Sequence, residues 1–321
     1  MRTRTIGSGE STRQVSAVCL GAMPFGTTVG EEESFAILDR FVAAGGTFID
    51  TANNYAFWAP GGRGGESEAL LGRWLAARDY PEVVLATKVG AQPTVPGAGL
   101  EAAQGLAGDT VRAAARASRE RLGVERVDLL YTHIEDRSVA LEETLSALAD
   151  LVDEGVVGLL GASNHAAWRL ERARAVAAAS GRPGYSVLQY RYSYLQPRYD
   201  VPFPEGGHVH ASPELLDFAK VHGLPVLVYS SLLSGAYTRP DKPLSPPYDH
   251  PGTQARLAAL DEVAKETGAT RNQVVTAWLL GHDPQVLPLV GASSVSQLDE
   301  VLDAVELELT ADQRVRLDAA R

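Results

Sequence analysis

Short apolar runs alternate with amphipathic segments along almost the whole chain, and this alternation constrains the fold more than any other feature. A short apolar run bounded by glycine or polar residues is typical of a buried strand, and the segments between the runs have helical periodicity. Because each predicted strand is followed by a predicted helix, the pattern favours a parallel sheet with crossover helices. The predicted strands are residues 15–20, 47–50, 83–87, 127–131, 156–160, 186–189, 225–229 and 286–290.

This order of elements favours an α/β fold, a closed (β/α)8 TIM barrel, over an open doubly wound sheet. The first strand-to-helix loop lacks the G-x-G-x-x-G pattern of an open dinucleotide-binding sheet. An N-terminal hairpin turning at Gly7-Ser8-Gly9 precedes the first strand, and Asp109 is predicted to cap a helix. No change of composition marks a second domain, so we expect residues 1–321 to form a single barrel domain. The predicted helices, including extra C-terminal ones, are residues 31–44, 66–78, 109–122, 139–154, 165–179, 212–222, 254–267, 271–281, 296–302 and 311–320.

Charge and cysteine content exclude several classes of function. The formal net charge is −11, which argues against a general surface for nucleic acid or for an anionic membrane. Cys19 is the only cysteine, so neither a disulfide framework nor a cysteine-based zinc site is expected. No apolar run reaches the length of a membrane span, and no signal peptide is apparent. We therefore expect a soluble, cytoplasmic protein.

Residues with acid–base chemistry stand where several predicted strands end. Asp50 ends the second strand, Lys88 ends the third, and His133 lies two residues past the fourth. In a barrel these strand ends are neighbours, and Tyr55 can fold back over them from its loop. A nearby ammonium favours the tyrosinate, so we expect Lys88 to lower the pKa of Tyr55. Such a group can protonate the oxygen of a carbonyl that receives a hydride.

Each of these residues also has a purely structural interpretation. Asp50 is equally well explained as a strand-end cap, and Lys88 as the first solvated residue after its strand. Tyr55 then serves packing, and His133 is a hydrogen-bonded residue at the barrel top. The four structural interpretations together require consecutive strands to end by chance on complementary groups, which favours the catalytic hypothesis.

Five motifs follow one another along the chain: GTFIDTAxxY at 46–55, GESExLLG at 65–72, ATKVG at 86–90, DLLYxH at 128–133 and GASN at 161–164. In this order they resemble the aldo-keto reductase family over the full length, closest in pattern to its bacterial and potassium-channel β-subunit-like branch. The resemblance implies a (β/α)8 barrel that uses NADPH, less often NADH, to reduce aldehydes or ketones. It implies Tyr55 as the general acid, Lys88 and Asp50 as the pair that tunes it, and His133 as the residue that orients the substrate.

The same resemblance implies a set of cofactor-binding residues. Ser163, Asn164 and Gln189 match the residues that hold the nicotinamide carboxamide, and amide side chains that both donate and accept suit this partner. Tyr229 matches the aromatic residue that stacks on the nicotinamide ring. A further loop matches the one that runs along the pyrophosphate, where small residues allow the backbone to approach that group closely. The loop residues are Ser230, Leu232, Ser234 and Gly235.

The adenosine end departs from the pattern of many family members, which place Lys or Arg near the ribose 2′-phosphate. This chain has Gly291 and Gln297 at the corresponding places, with Ser293 and Glu300 in the same segment. Helix amides and serine hydroxyls can still bind a phosphate. NADP is therefore the predicted cofactor, with NAD as the alternative.

The substrate is expected to be a small carbonyl compound, for which a sugar, a hydroxy-aldehyde or an aromatic aldehyde is plausible. Phe57 and Trp58 are candidates for an apolar wall and Arg63 for an anion contact, although the loop is equally well read as a glycine-rich surface loop. His208 and His210 lack a carboxylate-rich partner set, so no metal is predicted.

Two other functions remain open from the sequence. A Schiff-base enzyme using Lys88 leaves Tyr229, Gln189 and the Ser-Asn pair without a role. A regulatory subunit that binds the cofactor with little turnover fits the channel-associated branch, although the intact set of four residues argues against loss of chemistry. The oligomeric state is not readable from the sequence.

Overall fold

The computed structural model describes residues 1–8, 11–204 and 206–321. Eight parallel strands close into a barrel, in the order β10-β3-β4-β5-β6-β7-β8-β9, which confirms the predicted (β/α)8 fold. A separate two-stranded antiparallel hairpin precedes the barrel. The strands are β1 (Thr3–Ser8), β2 (Ser11–Ser16), β3 (Cys19–Gly21), β4 (Phe48–Asp50), β5 (Val84–Val89), β6 (Val127–Thr132), β7 (Val157–Ser163), β8 (Val187–Arg191), β9 (Val226–Tyr229) and β10 (Val286–Gly291).

Helices follow the barrel strands and form the outer layer, as the alternation predicts. Apolar faces of the helices pack on the outside of the barrel. The strand residues Phe48, Leu129 and Leu227 belong to a second cluster of buried side chains. No helix in the described part of the chain is long and apolar enough to cross a membrane. The helices are α1 (Glu31–Ala43), α2 (Glu66–Ala76), α3 (Gly108–Leu122), α4 (Leu141–Asp153), α5 (Ala167–Ser180), α6 (Pro213–His222), α7 (Pro251–Thr267), α8 (Arg271–Leu280), α9 (Val295–Ala304) and α10 (Ala311–Ala319).

The predicted first strand, residues 15–20, is wrong as a single element. Val15 and Ser16 end the hairpin strand β2, and the barrel strand begins only at Cys19. The hydroxyl of Ser16 donates to the carbonyl of Val18 and accepts from the backbone of Thr47 and Phe48, which fixes a turn inside the apolar run. The hairpin prediction is otherwise confirmed, and Gly9 of its predicted turn lies outside the described residues.

Asp109 is not the cap of its helix. Helix α3 begins at Gly108, so Asp109 lies within the first turn, and its side chain accepts from Arg112. The amide of Gly108 donates instead to Glu143 of the next helix at 2.8 Å. A carboxylate from a neighbouring helix therefore satisfies one of the free amides at this helix start.

The carboxyl ends of the barrel strands carry the irregular segments. The segments at 51–65, 90–107, 192–204 with 206–212, and 230–250 follow β4, β5, β8 and β9. In a parallel barrel all such loops lie at the same end. The fold therefore gathers the glycine-, proline- and aromatic-rich segments at one face, as the sequence predicts.

Three buried histidines, His133, His165 and His210, should make the stability of the protein depend on pH, because burial lowers the pKa of each. Burial lowers the pKa of His165 and of His210 to about 4. The unfolded chain binds protons at these groups below about pH 6.5, whereas the folded protein does not. The contribution of each histidine to the free energy of unfolding is therefore fully present above pH 6.5. It is lost as the pH falls towards 4, by up to about 1.4 kcal/mol per pH unit for each histidine.

Urea unfolding at pH 7.5, 6.5, 5.5 and 5.0 measures this slope. The window lies above the range in which ordinary carboxylates titrate. The comparison with a histidine variant then separates the histidine contribution from that of Asp50 and Asp128, whose pKa values are raised by burial. His210→Gln removes one of the three buried histidines and should give a shallower slope than the wild-type protein. A free energy of unfolding that stays constant from pH 7.5 to 5.0 would contradict the prediction.

Candidate active site

The side chain of Lys88 lies at the centre of a buried polar cluster at the carboxyl end of the barrel. Its Nζ donates to Asp50 Oδ2, to the carbonyl of Thr51 at 2.8 Å and to Tyr55 Oη at 2.7 Å. Both Lys88 and Asp50 have side chains that are 0% exposed. All three N–H groups of the ammonium thus have an acceptor, which satisfies its donor capacity.

Strand register brings these residues together. Asp50 of β4 is paired with Ala86 of β5, and Lys88 of β5 is paired with Tyr131 of β6. Lys88 is the penultimate residue of β5, close to the strand end that the sequence predicts. The amide of His133 donates to the carbonyl of Val89 and so continues the ladder beyond β6. Three consecutive strand ends therefore converge, as predicted.

Tyr55 and His133 complete the cluster. The two rings lie edge to face, with centroids 5.9 Å apart. Tyr55 Oη also lies 3.4 Å from Asp50 Oδ2. Among the described residues, Nδ1 of His133 is buried and has no hydrogen-bond partner. The cluster therefore combines a phenol, an ammonium, a carboxylate and an imidazole within contact distance.

The pKa of Tyr55 is raised, although the neighbouring ammonium of Lys88 leads us to expect a lowered value. Burial, followed by the negative charge of Asp50, raises the pKa of Tyr55 well above 10. Burial also raises the pKa of Asp50 and lowers the pKa of Lys88, while the attraction between these two opposes both changes. The carboxylate cancels much of the field that the ammonium would exert alone, because it pairs with that ammonium directly. Tyr55 is therefore protonated at neutral pH.

His133 is neutral at the same pH. Burial lowers its pKa well below 6.5, and the positive charge of Lys88 and a nearby His208 act in the same direction. A neutral imidazole carries one N–H donor and one acceptor nitrogen. The ring can therefore donate a hydrogen bond without carrying a charge into the site.

Ser163, Asn164, Gln189 and Tyr229 lie beside this cluster, where the sequence places them. Gln189 Nε2 donates to Asp50 Oδ1 at 2.9 Å. Asn164 Nδ2 donates to the carbonyl of His133 and to Ser163 Oγ. Asn164 Oδ1 accepts from the amide of Val209 at 2.9 Å and from Tyr229 Oη at 2.7 Å. These amide side chains are thus already hydrogen-bonded within the protein.

The loop after β9 has an unusual backbone. Ser230, Leu233 and Ser234 have positive φ values of 53°, 49° and 56°, and Gly235 follows with 92°. Non-glycine residues rarely adopt this conformation, and strain of this kind clusters at ligand-binding sites. The backbone of Leu232 has φ −104° and ψ 12°, and the next residue, Leu233, has a left-handed backbone conformation. A change of hand between successive residues can form a concave nest that binds an anion.

Two basic residues that sequence reasoning missed line a cavity beside this loop. The cavity has a volume of about 110 Å³. Arg191 ends strand β8, and Lys242 lies in the proline-rich loop after β9. In the sequence, the signal for each is its position after the end of a predicted strand. The side chains that line it include Arg191, Ser230, Leu233, Ser234, Lys242 and Tyr248.

The residues predicted for the adenosine end are gathered where β10 meets α9. The amide and hydroxyl of Ser293 both donate to Gln297 Oε1 at 2.9 Å. Glu300 accepts from Thr270 and from Asn272 of α8. A Cβ at Gly291 would meet nothing within 4 Å, so space is open there.

Sequence reasoning missed Glu33, an acidic residue at this end. Its Oε1 accepts from the amide of Val295, the first residue of α9, at 3.1 Å. A helix start favours an anion, and here a carboxylate of the protein already occupies one of its amides. Glu33 lies in the acidic first turn of α1, and nothing in the local sequence connects that turn with α9.

The rim of the site is partly apolar. Phe57 and Trp58 form an edge-to-face pair with ring centroids 5.0 Å apart, and Trp58 is 54% exposed. This exposure favours the interpretation of an accessible wall over a residue packed into the barrel rim. The backbone of Arg63 is fixed by Glu66 and Gln92. Across the described residues, no three His, Cys, Asp or Glu side chains are arranged to hold a metal ion.

The predicted nicotinamide cofactor fits the residues that are present. The basic residues Arg191 and Lys242 beside the strained loop suit a diphosphate. The amide side chain of Gln189 lies beside the Lys88 cluster. The open space at Gly291 leaves room at the other end. The chemistry of the donor set therefore suits a dinucleotide that extends from β8 to α9.

Comparison with known proteins agrees with this description. The profile of the Aldo/keto reductase family matches residues 17–321. Norsolorinic acid reductase B of Aspergillus parasiticus is 31% identical, over 97% of this chain and 82% of its own length. The uncharacterized oxidoreductase YrpG of Bacillus subtilis is 31% identical over 94% and 90% of the two chains. An aryl-alcohol dehydrogenase of Pestalotiopsis microspora is 30% identical over 97% and 80%. The chain therefore belongs to the aldo-keto reductase family and is an NAD(P)H-dependent oxidoreductase.

Proposed function

We propose that this protein reduces an aldehyde or ketone to an alcohol, with Tyr55 as the proton donor. The observation that carries the proposal is the hydrogen bond from Lys88 Nζ to Tyr55 Oη inside a buried cluster. The cofactor supplies a hydride when it is bound. Every other requirement of the reaction falls on side chains of this chain.

Tyr55 meets the requirements of a general acid. Its raised pKa keeps the proton in place at neutral pH. As the proton leaves, the ammonium of Lys88 already donates to the phenolic oxygen and stabilises the tyrosinate that forms. Asp50 holds Lys88 in this place. Neutral His133 donates a hydrogen bond to the carbonyl oxygen and orients it towards Tyr55.

The proposed cofactor is NADP, with NAD as the alternative. Ser163, Asn164 and Gln189 would hold its carboxamide, and Tyr229 would lie against its ring. The loop after β9 would hold the pyrophosphate. The remaining proposed contacts are Ser230, Leu232, Ser234 and Gly235 along the pyrophosphate and Gly291, Ser293, Gln297 and Glu300 at the adenosine end.

An aromatic carbonyl compound is the first substrate to test. The exposed pair Phe57 and Trp58 offers a stacking surface, and Arg63 offers a positive charge to an acidic substituent. One relative of this chain is named an aryl-alcohol dehydrogenase and another a norsolorinic acid reductase. Small aliphatic and sugar-like aldehydes serve as the comparison series.

Tyr55→Phe should abolish most turnover while cofactor binding is kept. The variant loses the proton donor and one of the three acceptors of the Lys88 ammonium, while the phenyl ring retains its packing. We expect kcat for aldehyde-dependent NADPH oxidation to fall by about 10²- to 10⁴-fold, the usual contribution of a general acid. Cofactor affinity, measured by quenching of protein fluorescence, should stay within about twofold, less than one lost hydrogen bond would cause.

Lys88→Met is the matched second variant and should also lose turnover, because Tyr55 then lacks the group that stabilises its anion.

Tight cofactor binding without turnover by the wild-type protein would favour the function of a regulatory subunit instead. Failure to bind either cofactor would refute both functions.

Glu33→Gln should shift cofactor preference towards NADP. The carboxylate at the start of α9 repels a 2′-phosphate bound nearby, and the amide does not. A surface charge interaction of this kind is worth about 1 kcal/mol, so NADP⁺ affinity should rise by about fivefold at low salt. NAD⁺ lacks the phosphate and should bind both proteins equally.

Fluorescence titration with both cofactors at low and high salt measures this preference. Glu32→Gln makes the same charge change in the same turn of α1 and serves as control. An equal effect of Glu33→Gln on NAD⁺ and NADP⁺ would place the 2′-phosphate elsewhere.

A further inference from the structure

The carbonyl of Thr51 differs from the other two acceptors of the Lys88 ammonium. Asp50 and Tyr55 have assigned roles in the reaction, whereas the Thr51 carbonyl is a backbone group in the loop that follows β4. A hydrogen bond to the charged form of a lysine stabilises that form. The place of this carbonyl therefore affects how firmly Lys88 keeps its proton and where its Nζ lies.

A chain of two buried hydroxyls holds Thr51. Thr51 Oγ1 lies 2.8 Å from Ser67 Oγ, and Ser67 Oγ donates to the carbonyl of Ala22 at 2.7 Å. Because a serine hydroxyl has one proton, Thr51 is the donor to Ser67. Thr51, Ser67 and Ala22 are fully buried. This hydroxyl chain joins the loops after β3 and β4 to the first turn of α2.

The next residue of α2 holds the strand that carries Lys88. Glu68 is fully buried and accepts from Thr87 Oγ1 and, at 2.7 Å, from Arg121 Nε. Thr87 directly precedes Lys88 in β5. The first turn of α2 thus fixes the residue that follows Asp50 and the residue that precedes Lys88.

We propose that Ser67, acting through Thr51, is a positioning residue for Lys88, with Glu68 fixing the same ammonium from the side of β5. The proposal rests on the proposed function, in which Lys88 stabilises the anion of Tyr55. Neither Ser67 nor Glu68 contacts the reacting groups. Ser67 acts through the Thr51 carbonyl, whereas Glu68 acts through the backbone of β5 and through its negative charge, which raises the pKa of Lys88 against the lowering by burial.

Thr51→Val tests the proposal, because valine keeps the shape of threonine and removes the hydroxyl that donates to Ser67. The Thr51 carbonyl then moves away from Lys88 more easily, and the charged form of Lys88 is stabilised less. We expect kcat to fall by about 10- to 100-fold, as misplacement by a fraction of an ångström can cause, with little change in KM. The alkaline limb of the pH profile of kcat should move to lower pH.

Thr51→Ser keeps the hydroxyl and should restore the position of the alkaline limb, while Ser67→Ala should reproduce the effect of valine. Thr144→Val is the matched control for losing a buried threonine hydroxyl. Thr144 is buried in α4 and donates to the carbonyl of Leu106. Its variant should lower the thermal midpoint and leave the pH profile unchanged.

A measurement that needs no turnover separates this proposal from the proposed function. The chain has only four lysines, Lys88, Lys220, Lys242 and Lys265, so ¹⁵N-lysine labelling gives a simple Nζ spectrum. The pKa of Lys88 Nζ should fall by about half a unit or more in Thr51→Val and stay unchanged in Thr51→Ser and Thr144→Val.

Failure of the proposed function and failure of the positioning proposal give different experimental results. A wild-type protein without carbonyl reductase activity refutes the proposed function, while the Nζ titration still reports on the hydroxyl chain. The proposal is overturned if Thr51→Val has the wild-type Nζ titration. It is also overturned if kcat falls equally at every pH in Thr51→Val and Thr144→Val, because that result reflects a loss of folded protein.

Discussion

The ion pair between Lys88 and Asp50 is the interaction on which the site depends. Both side chains are fully buried, and removing two charges from water costs more than their attraction returns unless their other polar atoms are satisfied. Here the ammonium has two further acceptors, Thr51 and Tyr55, and the second carboxylate oxygen accepts from Gln189. The barrel makes this possible, because strand ends distant in sequence meet at one face. The pair is thus stable only as part of a complete hydrogen-bonded cluster.

The sequence predicts the barrel well because its signal is repeated. Each apolar run followed by a helical segment independently indicates a strand followed by a helix. An error in one element therefore does not change the predicted architecture. The errors lie where a side chain overrides the local pattern. Ser16 binds three backbone groups and divides an apolar run into a hairpin end and a barrel strand. At α3, Glu143 from another helix replaces the cap expected from Asp109.

Within the site, the sequence predicts which residues meet but not how they interact. Asp50 and Lys88 are identifiable because each stands at the end of an apolar run. The pKa of Tyr55 is not, since its direction depends on whether the ammonium acts alone or is neutralised by a bonded carboxylate. Glu33 and Lys242 also escape sequence reasoning, because their roles come from helices and loops that only the folded chain brings together.

Asn164 shows what the hydrogen bonds of this structure imply for cofactor binding. Its two donors and its oxygen already have partners, including the amide of Val209 and the hydroxyl of Tyr229. A carboxamide held by Asn164 therefore exchanges hydrogen bonds, and the net gain from such an exchange is small. Most of the affinity for a dinucleotide must then come from its other parts, such as a diphosphate near Lys242. In the proposed binding mode the nicotinamide end sets orientation, and any displacement of Val209 from Asn164 is coupled to cofactor binding as one equilibrium.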